Sequence, residues 1–180
     1  LRAMPAQGLD RVFFLTAKTP GRQLALDALA RLRASGARLR VLELTAREKA
    51  CEHPDKACHG ESCPLARGFY DRLPRARAEA VAAQALDAAS LRRVALAHEV
   101  CPYWLAQELA RWSDVVVGDY NHFLDTSALL HALAREHEWR CGLLLDEAHN
   151  LLDRARQMYS AEVDEAALRA VKKTAPADLR

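Results

Sequence analysis

Four cysteines between residues 51 and 101 constrain the fold of this chain more than any other feature of its sequence. Six residues lie between Cys51 and Cys58, four between Cys58 and Cys63, and 37 between Cys63 and Cys101. Four thiolates are the ligands of a 4Fe–4S cluster, and they also bind a tetrahedral zinc ion. Structural zinc sites usually hold their ligands in pairs about two to four residues apart, whereas this chain has no C-x-x-C pair. The spacing alone leaves a cluster and a zinc site open, and it makes a disulfide pair or unligated core cysteines less favoured.

The composition indicates a globular chain in a reducing compartment. Hydrophobic residues make up 51% of the 180 positions, which excludes an intrinsically disordered chain. No run approaches the ~20 apolar residues of a membrane helix, and no signal peptide opens the chain. The five cysteines are an odd number without a secretory segment. We therefore expect a cytoplasmic protein, with no membrane partner, whose cysteines bind metal rather than form disulfides.

The net charge of +2 is unevenly distributed along the chain. Residues 1–93 carry 17 Lys and Arg against 10 Asp and Glu, whereas residues 94–180 carry 9 against 14. A basic half is compatible with phosphate binding, although surface charge often serves only solubility.

Short apolar runs alternate with helical patterns, which predicts an α/β fold with a parallel sheet. A helix opens at Thr19-Pro20, with Thr19 as its cap, and ends at Ser35-Gly36. Pro74 is expected to close a short helical turn before a helix over residues 75–86, and residues 91–96 fit either a strand or a helix. Trp104 and Trp112 are interpreted as core or lid residues. Four strands are predicted, with an insertion between the second and the third: residues 11–15, 38–44, 114–118 and 141–145.

An acidic motif, Asp146-Glu147-Ala148-His149, follows the fourth predicted strand directly. Ligands of open α/β sheets bind at the carboxyl ends of strands, where carboxylates are held rigidly beside bound phosphates. The alternative is the polar first turn of a helix, where Asp, Glu and His are also common. Cys141 lies on the same apolar strand and is interpreted as a residue that packs in the hydrophobic core rather than as a metal ligand.

The cysteine group followed by Cys101-Pro102-Tyr103 resembles the iron–sulfur domain of the XPD/DinG family of DNA helicases. In that family an arginine stands four residues before the first cysteine, and Arg47 matches it. The flanking motifs Thr16-Ala-Lys18-Thr19 and the DEAH sequence at 146–149 occur in the family's order.

The resemblance implies a partial RecA-like parallel sheet with an inserted, mainly helical iron–sulfur domain. The expected boundaries are residues 1–48 and 104–150 for the first motor lobe, 49–103 for the cluster domain and 151–180 for the start of a helical Arch domain. The implied activity is ATP-dependent 5′→3′ DNA unwinding. The implied cofactors are a 4Fe–4S cluster, Mg²⁺ and ATP, and the implied partners are single-stranded DNA and the remainder of the same helicase chain.

The resemblance also implies roles for individual residues. Asp146 would hold Mg²⁺, Glu147 would orient and deprotonate the attacking water, and His149 would couple nucleotide state to DNA binding. Cys51, Cys58, Cys63 and Cys101 would bind the cluster, with Arg47 donating a hydrogen bond to a cysteine sulfur. The residues expected to contact DNA are Thr16, Lys18, Thr19, Arg67, Phe69, Tyr70 and Arg72.

Other interpretations of these residues remain open. Thr19 fits ordinary helix capping, and the aromatic residues after Cys63 fit a helix that packs them inward. No glycine is followed by lysine, so the chain lacks the phosphate-binding loop G-x-x-x-x-G-K-S/T. We therefore expect an internal segment of a helicase that does not hydrolyse ATP by itself. The alternative is a non-motor DNA-binding module that carries zinc or a cluster.

Overall fold

The computed structural model describes residues 4–125 and 127–176. They form an α/β fold with two compact units, whose boundary in the sequence falls between Ala148 and His149. The first unit contains a sheet of five parallel strands. Its strands are β1 (Arg11–Leu15), β2 (Val41–Glu43), β3 (Ala85–Leu86), β4 (Val115–Gly118) and β5 (Cys141–Leu145).

The helices of the first unit connect these strands and cover the sheet. They are α1 (Met4–Gln7), α2 (Thr19–Ala34), α3 (Arg47–Ala50), α4 (Phe69–Ala83), α5 (Ala88–Ala97), α6 (Pro102–Leu109), α7 (Asn121–Leu124) and α8 (Leu129–Glu136), with a 3₁₀ turn at Ala110–Trp112.

The sheet has the strand order β3-β2-β4-β1-β5. In its register Leu15 pairs with Gly118 of β4 on one side and with Leu145 of β5 on the other. Because all strands are parallel, the carboxyl ends of these three strands lie next to one another at one edge. The predicted α/β class and the parallel sheet are confirmed.

Side chains alternate between the two faces of the sheet, and both faces are largely buried along β1, β2 and β4. On one face α2 packs Ala25 and Leu29 against Val12, Val41, Val115 and Val117. Residues that alternate with these on the strands, such as Phe13, Leu42 and Val116, are also fully buried. The ring centroids of Phe13 and Phe123 are 5.4 Å apart. Buried parallel strands consist of continuous apolar runs, which is why the sequence reveals β1 and β4. The strand β5 is also an apolar run, but it lies at the edge of the sheet and its Leu143 and Leu144 are exposed.

Between β2 and β4 the chain forms the short helix α3, one further strand, and three longer helices, α4, α5 and α6, that pack on one another. Each of these longer helices buries residues three or four positions apart, as an amphipathic helix does. These buried residues are Leu73, Ala76, Ala80, Leu91, Val94, Leu105 and Leu109. The added strand β3 extends the sheet by pairing with β2.

Several local expectations from the sequence are wrong. The predicted strand 38–44 is shorter, since only Val41–Glu43 is in strand conformation. Pro74 does not close a turn but lies inside α4, where a proline removes one backbone hydrogen bond of the helix. For residues 91–96, where the sequence left a strand and a helix open, the structure confirms the helix, within α5. The sheet has five strands rather than four, because β3 was not predicted.

A 3₁₀ turn at Ala148–Asn150 begins at the last residue of the first unit and leads into α9 (Leu151–Met158). The second unit contains α9 and α10 (Glu165–Thr174). The Asp164 side chain caps α10 by accepting a hydrogen bond from Ala167 N at 2.8 Å. Residues 160–164, between these two helices, form neither helix nor strand. Among the helices formed by residues 4–125 and 127–176, none has the length and apolar character needed to cross a bilayer.

Candidate functional site

Polar residues follow β1, β4 and β5 at the carboxyl edge of the sheet. The backbone amide of Asp146 donates to the carbonyl oxygen of Leu15 at 3.0 Å, and the amide of Thr16 donates to that of Gly118 at 2.9 Å. The turn after β1 and the acidic motif after β5 are therefore fixed side by side, although about 130 residues separate them in the sequence. This edge is where open α/β sheets bind their ligands.

Asp146 is held both at its carboxylate and at its backbone. The hydroxyl of Thr16, a residue that is only 1% exposed, donates to Asp146 Oδ2 at 3.0 Å. The hydroxyl of the buried Tyr120 donates to the backbone carbonyl of Asp146. A carboxylate fixed in this way is pre-organised to hold a cation directly or through water.

Gly21 has no side chain, and the side chains of Thr16 and Asp146 occupy the space that a Cβ atom would need. A Cβ atom built on Gly21 would lie 2.5 Å from Asp146 Oδ2 and 2.6 Å from Thr16 Oγ1. The absence of a side chain at this position therefore allows the first turn of α2 to approach the carboxylate. Gly21 was not singled out from the sequence, because only the packing of α2 against the end of β5 reveals its role.

Replacing Gly21 with Ala is expected to destabilise the fold. Alanine favours a helix by about 1 kcal/mol over glycine, but overpacking costs about 1–3 kcal/mol, and here the clash involves a hydroxyl and a carboxylate that are both fixed. We expect a net loss of about 1–2 kcal/mol in chemical unfolding. Gly60→Ala is the control, since its Cβ would meet Arg67 Cα at an ordinary 3.4 Å. A Gly21→Ala protein more stable than the wild type would contradict this packing.

Glu147 forms an ion pair with Lys18 across the same edge. The Lys18 ammonium donates to Glu147 Oε1 at 2.8 Å, with the two side chains 64% and 32% exposed. This hydrogen bond and the charge of Glu147 raise the pKa of Lys18. Glu147 has a φ of 50°, a left-handed conformation that is uncommon for a residue other than glycine and often found at functional sites.

Two further residues were predicted to belong to the functional site, Thr19 and His149, and their surroundings differ. Thr19 is the first residue of α2, and the N-cap position belongs to Lys18, which makes no side-chain capping bond. The prediction that Thr19 caps this helix is therefore wrong. Its hydroxyl instead accepts a hydrogen bond from Arg22 Nη2 at 3.2 Å. His149 belongs to the second unit, where it is exposed in the 3₁₀ turn.

The four cysteines of the 51–101 stretch occupy ends of helices and the turns between them. Cys51 directly follows α3, and Cys101 directly precedes α6. Cys58 and Cys63 lie in the turns that precede α4. Cys63 is buried, and all four are free thiols.

Contacts between these cysteines and their surroundings concentrate at Cys58 and Cys101. Arg47 Nη2 donates to Cys58 Sγ at 3.1 Å, as the resemblance implied for this arginine. Burial raises the pKa of the Cys101 thiol, and repulsion from Cys51 and Cys58 raises it further. Hydrogen bonds from the backbone of Trp104 and Tyr103 act in the opposite direction and lower this pKa. Cys101 therefore lies within electrostatic reach of two other cysteines of the group.

The four free thiols have the donor chemistry of a 4Fe–4S cluster and of a tetrahedral zinc ion. In the part of the chain that the structure describes, no three His, Cys, Asp or Glu side chains are placed together as ligands of a metal ion. Cys141 lies on β5, and its thiol contacts the carbonyl oxygen of Trp139 at 3.6 Å.

Aromatic residues line a cavity of about 480 Å³ beside Cys58. Tyr70 is 83% exposed at the start of α4, and its ring meets that of Phe69 edge-on at 5.4 Å. The alternative interpretation, in which a helix packs both aromatics inward, is wrong for Tyr70. Trp104 also lines this cavity and is half exposed, which contradicts a core position and leaves the lid interpretation as a prediction.

The two arginines predicted to bind DNA near this cavity have structural partners. Arg72 Nη2 donates to the carbonyl oxygens of Arg67 and Glu99, the latter at 2.8 Å, and so ties the turn after Cys63 to the end of α5. Arg67 is exposed, and its Nε donates to the carbonyl oxygen of Gly60 at 3.1 Å. Of the two aromatic residues predicted to contact DNA here, Tyr70 is exposed and Phe69 is partly buried.

Comparisons with known proteins identify the family. The DEAD_2 family model matches residues 20–168. Regulator of telomere elongation helicase 1 from Bos taurus is 28% identical over 69% of this chain and 11% of its own length. The Fanconi anemia group J protein homolog from Gallus gallus is 28% identical over 72% of this chain and 12% of its own length. The chain thus spans about a tenth of the length of these curated relatives.

The solved structure of a truncated XPD shares the fold. It superimposes with a TM-score of 0.56 at 17% sequence identity, over 98% of this chain and 51% of that one. This similarity agrees with the mixed α/β architecture and its parallel sheet, and the family model covers most of the sequence. The resemblance seen in the cysteine and DEAH motifs is confirmed, and the chain belongs to the DEAD_2 family of XPD/DinG-like helicase sequences.

Proposed function

We propose that this chain is a segment of an ATP-dependent 5′→3′ DNA helicase. The observation that carries the proposal is the pairing of the turn after β1 with the acidic motif after β5. Thr16 bonds to Asp146 and Lys18 bonds to Glu147, so the residues expected to contact DNA touch those expected to serve nucleotide hydrolysis. A non-motor DNA-binding module would not require this pairing, and it would not account for the family match.

The acidic motif fits a magnesium–nucleotide site. Asp146, fixed by Thr16, would hold Mg²⁺, which neutralises charge on the nucleotide phosphates when bound. Glu147 would position the attacking water and accept its proton. His149 would relay the state of this site to the DNA-binding elements. The nucleotide phosphates themselves require a loop that the sequence lacks, so the isolated chain is expected to be inactive in ATP hydrolysis.

The four cysteines fit a 4Fe–4S cluster in the segment 49–103. They are free, they lie at chain turns, and Arg47 reaches the sulfur of Cys58 as a residue that modulates a cluster would. The cluster would connect the turns before α4 to the start of α6. The proposed domain boundaries are those expected from the sequence: motor lobe at 1–48 and 104–150, cluster domain at 49–103 and Arch domain from 151.

Single-stranded DNA would pass over the aromatic cavity next to the cluster segment. Exposed aromatic rings stack on bases of any sequence, and neighbouring arginines attract the backbone. Tyr70 supplies the exposed ring, and Phe69, Trp104 and Arg111 line the same cavity.

Replacing Tyr70 with Ala tests this assignment. Loss of one stacked base costs about 1–3 kcal/mol, so the affinity for an oligothymidine is expected to fall about tenfold or more. Fluorescence anisotropy at fixed salt measures the change. Tyr159→Ala, which removes an exposed tyrosine of the second unit, is the control and should bind as the wild type does. Equal affinities of the wild type and Tyr70→Ala would rule out a stacking role for this residue.

A further inference from the structure

Lys18 occupies a position where two partners compete for one ammonium group. Its Nζ is 2.8 Å from Glu147 Oε1, and it stands at the N-terminal end of α2, a 16-residue helix. The backbone amides at such an end attract phosphate, and a lysine beside them strengthens the attraction. The proposed function places a DNA phosphate here, yet in the structure the lysine is bound to the carboxylate.

The surroundings of Lys18 are rigid, whereas its side chain is not. Thr16 is buried and bonded to Asp146, and its Oγ1 accepts a hydrogen bond from Lys18 N at 3.3 Å. The backbone of the turn is therefore held in place. The four-carbon side chain of a lysine can still rotate between acceptors without moving that backbone.

The ion pair is also weak enough to be exchanged. Both of its side chains contact solvent, and exposed pairs are screened by water and salt. The phosphates of single-stranded DNA form a dense line of negative charge, and a lysine that binds one of them releases a counterion.

We propose that Lys18 exchanges between Glu147 in the DNA-free protein and a backbone phosphate of single-stranded DNA in the complex, so that DNA binding removes the ammonium from the Glu147 carboxylate. This inference rests on the proposed function and assigns Lys18 as a positioning residue for Glu147. Without DNA, the ammonium holds the carboxylate towards the turn after β1. With DNA, this restraint is removed.

A double-mutant cycle on the full 180-residue chain tests the exchange. The affinity for a fluorescent oligothymidine is measured for the wild type, Glu147→Gln, Lys18→Ala and the double variant. Glu147→Gln removes the competitor and should tighten binding about two- to fivefold. Lys18→Ala should weaken binding and reduce the slope of log affinity against log salt by about 0.7. In the Lys18→Ala background, Glu147→Gln should have no further effect.

Asp27→Asn provides the matched control, because it makes the same change in charge at an exposed position of α2. If lower negative charge alone increases the affinity for the oligothymidine, Asp27→Asn should increase it equally with and without Lys18. Equal tightening by Glu147→Gln in both backgrounds would show simple repulsion and overturn the exchange, as would no tightening in the wild-type background. A wild-type chain that does not bind the oligonucleotide would overturn the proposed function itself, and the exchange with it.

Discussion

Glu147→Gln is expected to reduce DNA-stimulated ATP hydrolysis by about 100- to 10,000-fold in a protein that carries this segment together with a phosphate-binding loop. The amide keeps the shape of the side chain and its ability to accept a hydrogen bond, but it cannot take a proton from water. Asp146 and Thr16 are not altered, so Mg²⁺ and nucleotide should still bind. Steady-state turnover with saturating single-stranded DNA, together with nucleotide affinity, separates loss of chemistry from loss of binding.

Glu136→Gln is the control for this experiment, because it makes the same change at an exposed position of α8, away from the acidic motif. It should hydrolyse ATP as the wild type does. Turnover by Glu147→Gln at the wild-type rate would remove Glu147 from its assigned role.

Cys58→Ser is expected to release the iron and to loosen the segment that the cluster would hold. Residues 51–68 contain neither helix nor strand, and Cys58 itself is exposed, so this segment buries little apolar surface of its own. In small elements of this kind, a metal centre supplies stability that burial cannot. Amide hydrogen exchange in residues 51–68 should accelerate at least tenfold, whereas β1, β4 and β5 should keep their protection.

The helices that follow this segment are expected to change less. The buried faces of α4, α5 and α6 pack on one another, and β3 is paired with β2, so their protection does not depend on the cysteines. In a protein that carries this segment, strand separation should fail while ATP hydrolysis survives in part. Full unwinding without iron would refute the structural role of the cluster. Loss of protection throughout the sheet would show that the cluster also supports the motor lobe.

The sequence revealed the strands that consist of a continuous apolar run. The runs at Phe13, Val116 and Leu144 predicted β1, β4 and β5 with bounds within one residue of those observed. The strand β3 escaped prediction because Ala85–Leu86 is too short to show any periodicity. Its strand conformation results from pairing with β2, which is a tertiary interaction.

The candidate site was predictable in its residues but not in its contacts. The sequence motifs at residues 16–19 and 146–149 identified the two segments. Because each motif follows a predicted parallel strand, both were expected at the carboxyl edge of the sheet. That β1 and β5 are direct neighbours depends on the strand order, which no local pattern encodes. The bonds of Thr16 to Asp146 and of Lys18 to Glu147, and the close approach of Gly21, follow from that order.

The metal content of the chain purified without oxygen tests the central claim most directly. Iron, acid-labile sulfide and zinc are measured on the same preparation, with the visible absorption spectrum recorded alongside. The account predicts about four irons and four sulfides per chain in a brown protein, as a cluster bound by Cys51, Cys58, Cys63 and Cys101 requires. One zinc ion per chain with no iron would contradict it.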